Sequence, residues 1–314
     1  MQYVITQEQD GLTVRSFLQL YLKPSSKMLK YLKYRPDGIT VNGVHCTVRY
    51  VLRSGDVLCV AIQDSADSDR IKPVDLPIEI LYEDDELVIP SKPADMPTHP
   101  SHDHYNDTVA NALAYRYAKQ NVPFVFRPIN RLDRNTSGLL LIAKNKLSAG
   151  RLTRSLDEGE IKKRYLAVLD GELCTAEGVI DACLHRTAKS IIVREVCSPD
   201  VPDADRARTE YRVLAVANGH TLVEAKPITG RTHQLRVHFA SIGHPITGDD
   251  LYGTPSPLIP RHALHAVQLT FPHPTTQQQM VVTAPLAQDF SCLTEQLFPN
   301  FSFENEIRKA VSVP

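Results

Sequence analysis

One carboxylate in this chain is flanked by two guanidinium groups. Asp133 follows Arg131 by two residues and directly precedes Arg134, with Asn135, Thr136, Ser137 and Gly138 behind it and an apolar run over 139–143 beyond. Opposite charge within ~4–6 Å favours the ionised form of a carboxyl group. An ionised carboxylate at the mouth of a sheet is a candidate nucleophile or electrostatic stabiliser. Composition alone favours a plainer reading, a structural Arg–Asp pair at a turn. A second segment runs Gly230-Arg231-Thr232-His233-Gln234-Leu235-Arg236-Val237-His238. Gly230 allows a turn, Thr232 can cap a helix, and Arg231 is available to pair with a carboxylate. His233 and His238 are five apart, a poor spacing for two ligands on one helix face, so a hydrogen-bonding role is preferred to metal binding. In a third segment, Lys162-Lys163-Arg164 lead into Tyr165 and an apolar strand.

These groups need elements to position them. Short apolar runs predict strands over 78–82, 86–90, 138–143, 164–169, 208–216, 220–226, 263–270 and 280–283. Helices are expected over 108–120, 146–157, 232–242 and 286–297, the first capped at Asp107-Thr108. Many strands with few helices between them indicate an α+β fold with a mixed, largely antiparallel sheet. Ahead of them, Thr13 caps a helix running to Leu22, Pro24 ends it, and a second helix starts at Ser25-Ser26. Asn42-Gly43 marks a hairpin, and Ser54-Gly55-Asp56 turns into a last strand.

Charge divides the chain. Residues 1–63 carry eight Lys+Arg against four Asp+Glu, 64–86 two against nine, and 87–314 25 against 23. Residues 64–77, acidic, apolar-poor and containing Pro73 and Pro77, are expected to link a small basic domain (1–63) to a large domain (78–300), with a tail over 301–314. Lys27, Lys30 and Lys33 fall three apart and form one basic helical face, which by itself is usually only a solvated face. The six cysteines lack the close spacing of a zinc site or disulfide framework. No apolar run of ~18 residues is present, so no membrane-spanning helix is expected. The first residues lack the order of a secretory signal, which points to a cytoplasmic protein.

Two segments carry a family resemblance. Arg-Leu-Asp-x-x-Thr-Ser-Gly at 131–138 is similar to the signature around the catalytic aspartate of the RluA-like pseudouridine synthases, and Gly-Arg-Thr-His-Gln-Leu-Arg-Val-His at 230–238 resembles a second motif of that family. Softer matches are the stretch Ser91-Lys92-Pro93-Ala94-Asp95-Met96 and the Gly248-Asp249, Tyr252-Gly253 element. Residues 10–62 resemble the RNA-binding domain named after ribosomal small-subunit protein four. The resemblance implies an isomerase that converts uridine to pseudouridine in structured RNA, with no cofactor and no metal. It assigns catalysis to Asp133, Tyr165 and Arg231, with Arg231 pairing with Asp133, Leu235 lining the pocket, and Tyr165 stacking on the base and a candidate for the proton transfer that completes the reaction. Arg131 would fill the space left by the flipped base. Arg15, Lys27, Lys30, Lys33, Lys162 and Arg164 would contact RNA phosphates. Ribosomal RNA is the first expected substrate and transfer RNA the alternative, with the enzyme acting as a monomer. Three positions depart from the family pattern: Asn130 replaces His, Pro90-Ser91 replaces Asn, and Asp95 replaces Gly. These bear on substrate more than on activity. The rivals are an RNA-binding assembly factor without catalysis, which predicts damage at Asp133, Tyr165 or Arg231, and a nucleoside or glycoside hydrolase, for which no second acid carboxylate is identifiable.

Overall fold

The computed structural model describes residues 2–302 apart from 23, 25, 62–70, 188, 189 and 191. Residues 64–70 of the expected linker, 303–314 of the expected tail and the side chain of Lys27 therefore lie outside the described residues.

The first sheet has four strands, β1 (Gln2–Val4), β2 (Ile39–Val41), β3 (Val44–His45) and β4 (Val57–Val60), in the order β1-β4-β2-β3, all antiparallel. Thr13 caps α1 (Val14–Phe17) by accepting from Ser16 N–H at 3.1 Å. The helix expected to run on to Leu22 instead widens at Leu18–Leu22 into i→i+5 turns. After Pro24, α2 (Ser26–Tyr34) presents Met28 and Leu32 to a core of Ile5, Val14, Phe17, Leu18, Ile39 and Leu58. The hairpin turns at Asn42-Gly43, both at positive φ, and the Asn42 side chain ties the turn to β4 by accepting from Val57 N–H at 2.8 Å.

The second sheet has eleven strands. They are β5 (Glu79–Glu83), β6 (Leu87–Lys92), β7 (Ser137–Leu139), β8 (Ile142–Ala143), β9 (Lys162–Asp170), β10 (Glu177–Arg186), β11 (Arg194–Cys197), β12 (Asp205–Ala217), β13 (His220–Pro227), β14 (Leu264–Pro272) and β15 (Gln279–Thr283). Nine run in the order β11-β10-β12-β13-β9-β14-β7-β6-β5, while β15 pairs with β14 and β8 with β6. Every pairing is antiparallel except β14 with β7, so the sheet is mixed as the patterning predicts. The pattern did not reveal β10 and β11, which close one end of the sheet with only Ile180 and Leu184 buried and carry no continuous apolar run. Among the described residues four helices accompany the sheet: α3 (Val109–Lys119), α4 (Lys146–Asp157), α5 (Gln234–Ser241) and α6 (Gln288–Leu297). The cap expected ahead of α3 is Thr108, in a reciprocal capping box with Asn111. Thr232, expected to cap the helix after Gly230, does not. The cap position falls on His233, at φ 57°, whose side chain makes no capping bond.

The strand expected over 138–143 breaks into β7 and β8. Gly138 allows β7 to approach β14 closely: its φ is 112°, and a Cβ there would lie 2.2 Å from the Ala266 carbonyl oxygen. The main core packs Leu132, Tyr165, Leu235 and Phe239 with Leu113, Leu140, Val168, Leu264 and Phe290.

Candidate active site

The loop 131–136 leaves the sheet just before β7 and carries Asp133, whose side chain is 28% exposed. Thr136 N–H donates to the Asp133 carbonyl at 3.1 Å and closes the turn. Behind the carboxylate stands Arg236 on α5, with Nη1 3.5 Å from Asp133 Oδ2. Its Nε and Nη2 donate to the two oxygens of Asp249, each at 2.7 Å, and both side chains are buried. Asp249 Oδ1 also accepts from Leu251 N–H at 3.0 Å and Tyr252 N–H at 3.1 Å. A bidentate fork fixes the plane of the guanidinium and aims its remaining edge at Asp133. Burial alone would raise the Asp249 pKa, but the Arg236 guanidinium outweighs it and holds that carboxyl below its usual range.

Arg231 does not take the place the sequence suggested. It is exposed, with Nη1 3.0 Å from Asp205 Oδ1 and Nε donating to the Arg206 carbonyl at 3.2 Å. The arginine facing Asp133 is Arg236, five residues on. The short helix explains the difference: α5 starts at Gln234, so Arg231 lies in the preceding loop while Arg236 is inside the first turns. Gln234 seals that loop, its side-chain oxygen accepting from Arg231 N–H at 3.0 Å and from Thr229 Oγ1 at 2.7 Å.

His233 reaches Asp133 from the other side, with Nε2 4.0 Å from Oδ2 and Nδ1 2.8 Å from the Tyr252 hydroxyl. That hydroxyl accepts from Arg194 N–H at 2.9 Å, so its own proton can go to Nδ1, leaving Nε2–H directed at Asp133. Burial, helped by Arg236, lowers the His233 pKa against the opposing pull of Asp133, which favours the neutral ring. Tyr165 on β9 and Leu235 on α5 are buried in the same core cluster as Leu132. Burial raises the Tyr165 pKa, and Asp133 raises it further, so the phenol keeps its proton.

The loop itself is moored by residues to which the sequence assigned no role. Lys92, fully buried at the end of β6, donates to the carbonyls of Pro93, Met96 and Arg134, each at 2.8 Å. All three ammonium protons are used, although burial and Arg261 push its pKa down to about 7. Buried Arg261 is bidentate to Asp289 at 2.6 and 2.9 Å and donates to the Asn135 carbonyl at 3.0 Å and to Ser137 Oγ at 3.1 Å. Thr136 Oγ1 lies 2.8 Å from His262 Nε2, and Ser137 Oγ 2.9 Å from His265 Nδ1. Burial pushes both histidines down to about 3, so they are neutral. Lys92 stands before a proline and the Arg261-His262-x-x-His265 spacing opens a strand, but no local pattern marks either as a mooring for a distant loop.

The departures at 130 and 95 have structural counterparts. Asn130 is buried, donating to the Leu139 carbonyl at 3.2 Å and accepting from Leu141 N–H at 2.7 Å, so it staples the backbone between β7 and β8. Asp95 sits at φ 60°, a conformation that favours glycine, and accepts from Arg134 Nε at 2.7 Å. Of the remaining site residues, Arg131, Arg15, Lys30 and Lys33 are exposed. Lys162 is exposed and donates to the Gly159 carbonyl at 2.6 Å. Arg164, expected to face phosphate, instead pairs with buried Glu224 and donates to Gln268 at 2.9 Å. Among the described residues no three His, Cys, Asp or Glu converge as a metal site, and no helix is long and apolar enough to cross a membrane.

A mixed sheet with a carboxylate loop backed by a buried arginine pair is the setting in which the family comparison falls. Residues 86–241 match the model of the RNA pseudouridylate synthase family. The chain is 38% identical over 86% of its length to a Bacillus subtilis protein named as an uncharacterized RNA pseudouridine synthase, YjbO, covering 94% of that protein. It is 33% identical to the ribosomal large subunit pseudouridine synthase D of Nitrosomonas europaea, over 82% of this chain and 76% of that protein. Among solved structures, human RNA pseudouridylate synthase domain containing 1 superposes with a TM-score of 0.59 at 26% identity, over 76% of this chain and 96% of the human chain. The chain belongs to the RNA pseudouridylate synthase family and, within it, is an RNA pseudouridine synthase of the RluA-like kind, an isomerase.

Proposed function

We propose that the enzyme modifies uridines of large-subunit ribosomal RNA, with Asp133 as the catalytic carboxylate. The observation that carries the assignment is the Asp249–Arg236–Asp133 chain. A buried ion pair spends its fixed fork on orienting one part-exposed carboxylate beside a buried tyrosine. The target uridine leaves its stack at a cost of a few kcal/mol and enters against Tyr165 and Leu235. Exposed Arg131 fills the vacated space. As the C1′–N1 bond breaks, positive charge develops on the sugar, and Asp133 opposes it at C1′. The detached uracil turns, C5 bonds to C1′, the C5 proton leaves, and N1 gains a proton, so the reaction is balanced without any co-reactant. Arg236, and not Arg231, positions Asp133 throughout, while Tyr165 supports the base as a neutral phenol. Residues 1–63 form an RNA-binding domain in which Arg15, Lys30 and Lys33 meet phosphates. Ribosomal RNA is favoured because several relatives are named ribosomal large subunit pseudouridine synthase D.

The test is to delete the gene in its host, map pseudouridines across ribosomal and transfer RNA, and complement with wild type or Asp133→Asn. Ribosomal sites that vanish and return only with wild type support the proposal. Loss confined to transfer RNA would move the substrate, and restoration by Asp133→Asn would remove Asp133 from the chemistry.

A further inference from the structure

Of the three basic residues leading into Tyr165, two have partners: Lys162 bonds the Gly159 carbonyl and Arg164 pairs with Glu224. Lys163 has none among the described residues, yet its side chain is part-buried, with the ammonium still reaching solvent. Side chains alternate along β9, so Lys163 shares a face with Tyr165, while Arg164 points to the other face with Glu224 and Gln268. The ammonium lies over the turn that precedes α5: a Cβ built on Gly230 would be 3.5 Å from Lys163 Nζ. Arg231, beside it in that turn, is already committed to Asp205.

A part-buried ammonium without a countercharge carries a desolvation cost in the free protein, and that cost falls when an anion meets it. The cost makes sense where the countercharge arrives with the ligand. On this face the ligand is the RNA strand whose base rests on Tyr165, and the anion that strand carries beside every nucleotide is a phosphodiester. We propose that Lys163, over the Gly230 turn, forms a phosphodiester subsite that seats a backbone phosphate next to the flipped uridine. The inference rests on the reading of Asp133 and Tyr165 as the uridine site. It separates Lys163 from its neighbours: Lys162 stays on the surface, Arg164 holds the sheet, and Lys163 meets RNA.

The test compares full-length wild type, Lys163→Met and Lys163→Arg for equilibrium binding to an in vitro transcript of large-subunit ribosomal RNA across a salt series. Thermal unfolding without RNA is measured in parallel. One lost phosphate contact is expected to reduce the slope of log K against log salt in Lys163→Met by about 0.7–0.9. The Kd at low salt should rise about tenfold, while Lys163→Arg keeps the wild-type slope. The unfolding temperature of Lys163→Met should be unchanged or higher, because an unpaired, partly desolvated cation has been removed. An unchanged slope and Kd in Lys163→Met would overturn the proposal, as would a fall in its unfolding temperature with the slope intact. If wild type binds the transcript and forms no pseudouridine, the reading of the uridine site fails, while the slope comparison still decides the phosphate contact on its own.

Discussion

Arg231 and Arg236 occupy one nine-residue motif and have different surroundings. Arg236 is one half of a buried pair whose loss would leave Asp249 uncompensated. Removing one partner of such a pair costs about 3–5 kcal/mol. Arg236→Ala should therefore lower the urea midpoint markedly and abolish isomerisation together, whereas Arg231→Ala, at an exposed pair worth about 0–1 kcal/mol, should barely move the midpoint. A single-turnover tritium-release assay beside the denaturation curves checks both. If Arg231→Ala removed activity and Arg236→Ala did not, the assignment of the positioning arginine would be reversed. Asn130 belongs to the same scale. Its two backbone bonds account for it structurally, and Asn130→Ala is expected to cost about 1–3 kcal/mol by leaving a buried carbonyl and a buried N–H unpaired.

At the scale of elements, the Asp133 loop is held from two separate strands, β6 through Lys92 and β14 through His265 and the residues just ahead of it, Arg261 and His262. The histidines make this mooring sensitive to acid. Each has a folded pKa of about 3 against an ordinary value of 6.5. The unfolded chain therefore takes up protons first as pH falls, and stability present above about 6.5 is lost progressively below it until the folded pKa is reached. Between pH 7 and 5 each histidine should withdraw about 2 kcal/mol. Urea midpoints at the two pH values should differ accordingly, and His265→Asn should flatten the dependence. An equal slope in the variant would show that other groups carry the acid sensitivity. The parallel contact of β7 with β14 depends on Gly138, and Gly138→Ala should cost about 3 kcal/mol or more, since the Ala266 carbonyl occupies the space and the φ is left-handed. A lowered unfolding temperature, with activity falling in step, is the expected result.

At the scale of the whole molecule, α4 joins the two sheets. Leu147 is buried in the core cluster of the small sheet, and Lys146 Nζ lies 4.5 Å from the centre of the Tyr31 ring. Arg151 donates to the carbonyls of Leu22 at 3.0 Å and Tyr21 at 3.1 Å on one side and of Pro274 at 2.8 Å on the other. Its guanidinium thus completes the end of the widened helical turn, where backbone acceptors have no partner of their own. Arg151→Ala should cost about 2 kcal/mol at this junction. Calorimetry is expected to show the small unit melting ahead of the large one in the variant. Coincident melting with unchanged affinity for RNA would mean that the contact does not couple the two units.

Much of this was legible in the residues. The α+β class, α4 at its observed bounds, the cap of α3 and the family motifs follow from periodicity, capping chemistry and local spacing, which depend on neighbours in sequence. The path through β10 and β11 was not legible, because strands at the end of a sheet that bury few side chains carry little apolar pattern. The partner of Asp133 was not legible either. The motif supplied two arginines, and the start of α5 two residues later than expected decided that Arg236 turns inward while Arg231 stays on the surface. Lys92, Arg261, His262 and His265 show the same limit. Each acts on backbone or hydroxyl groups of a loop far away in the chain, and such bonds exist only once the strands have paired. Motif membership therefore follows from local order, whereas the choice of which like-charged residue meets the carboxylate belongs to tertiary packing, which alone sets burial and direction.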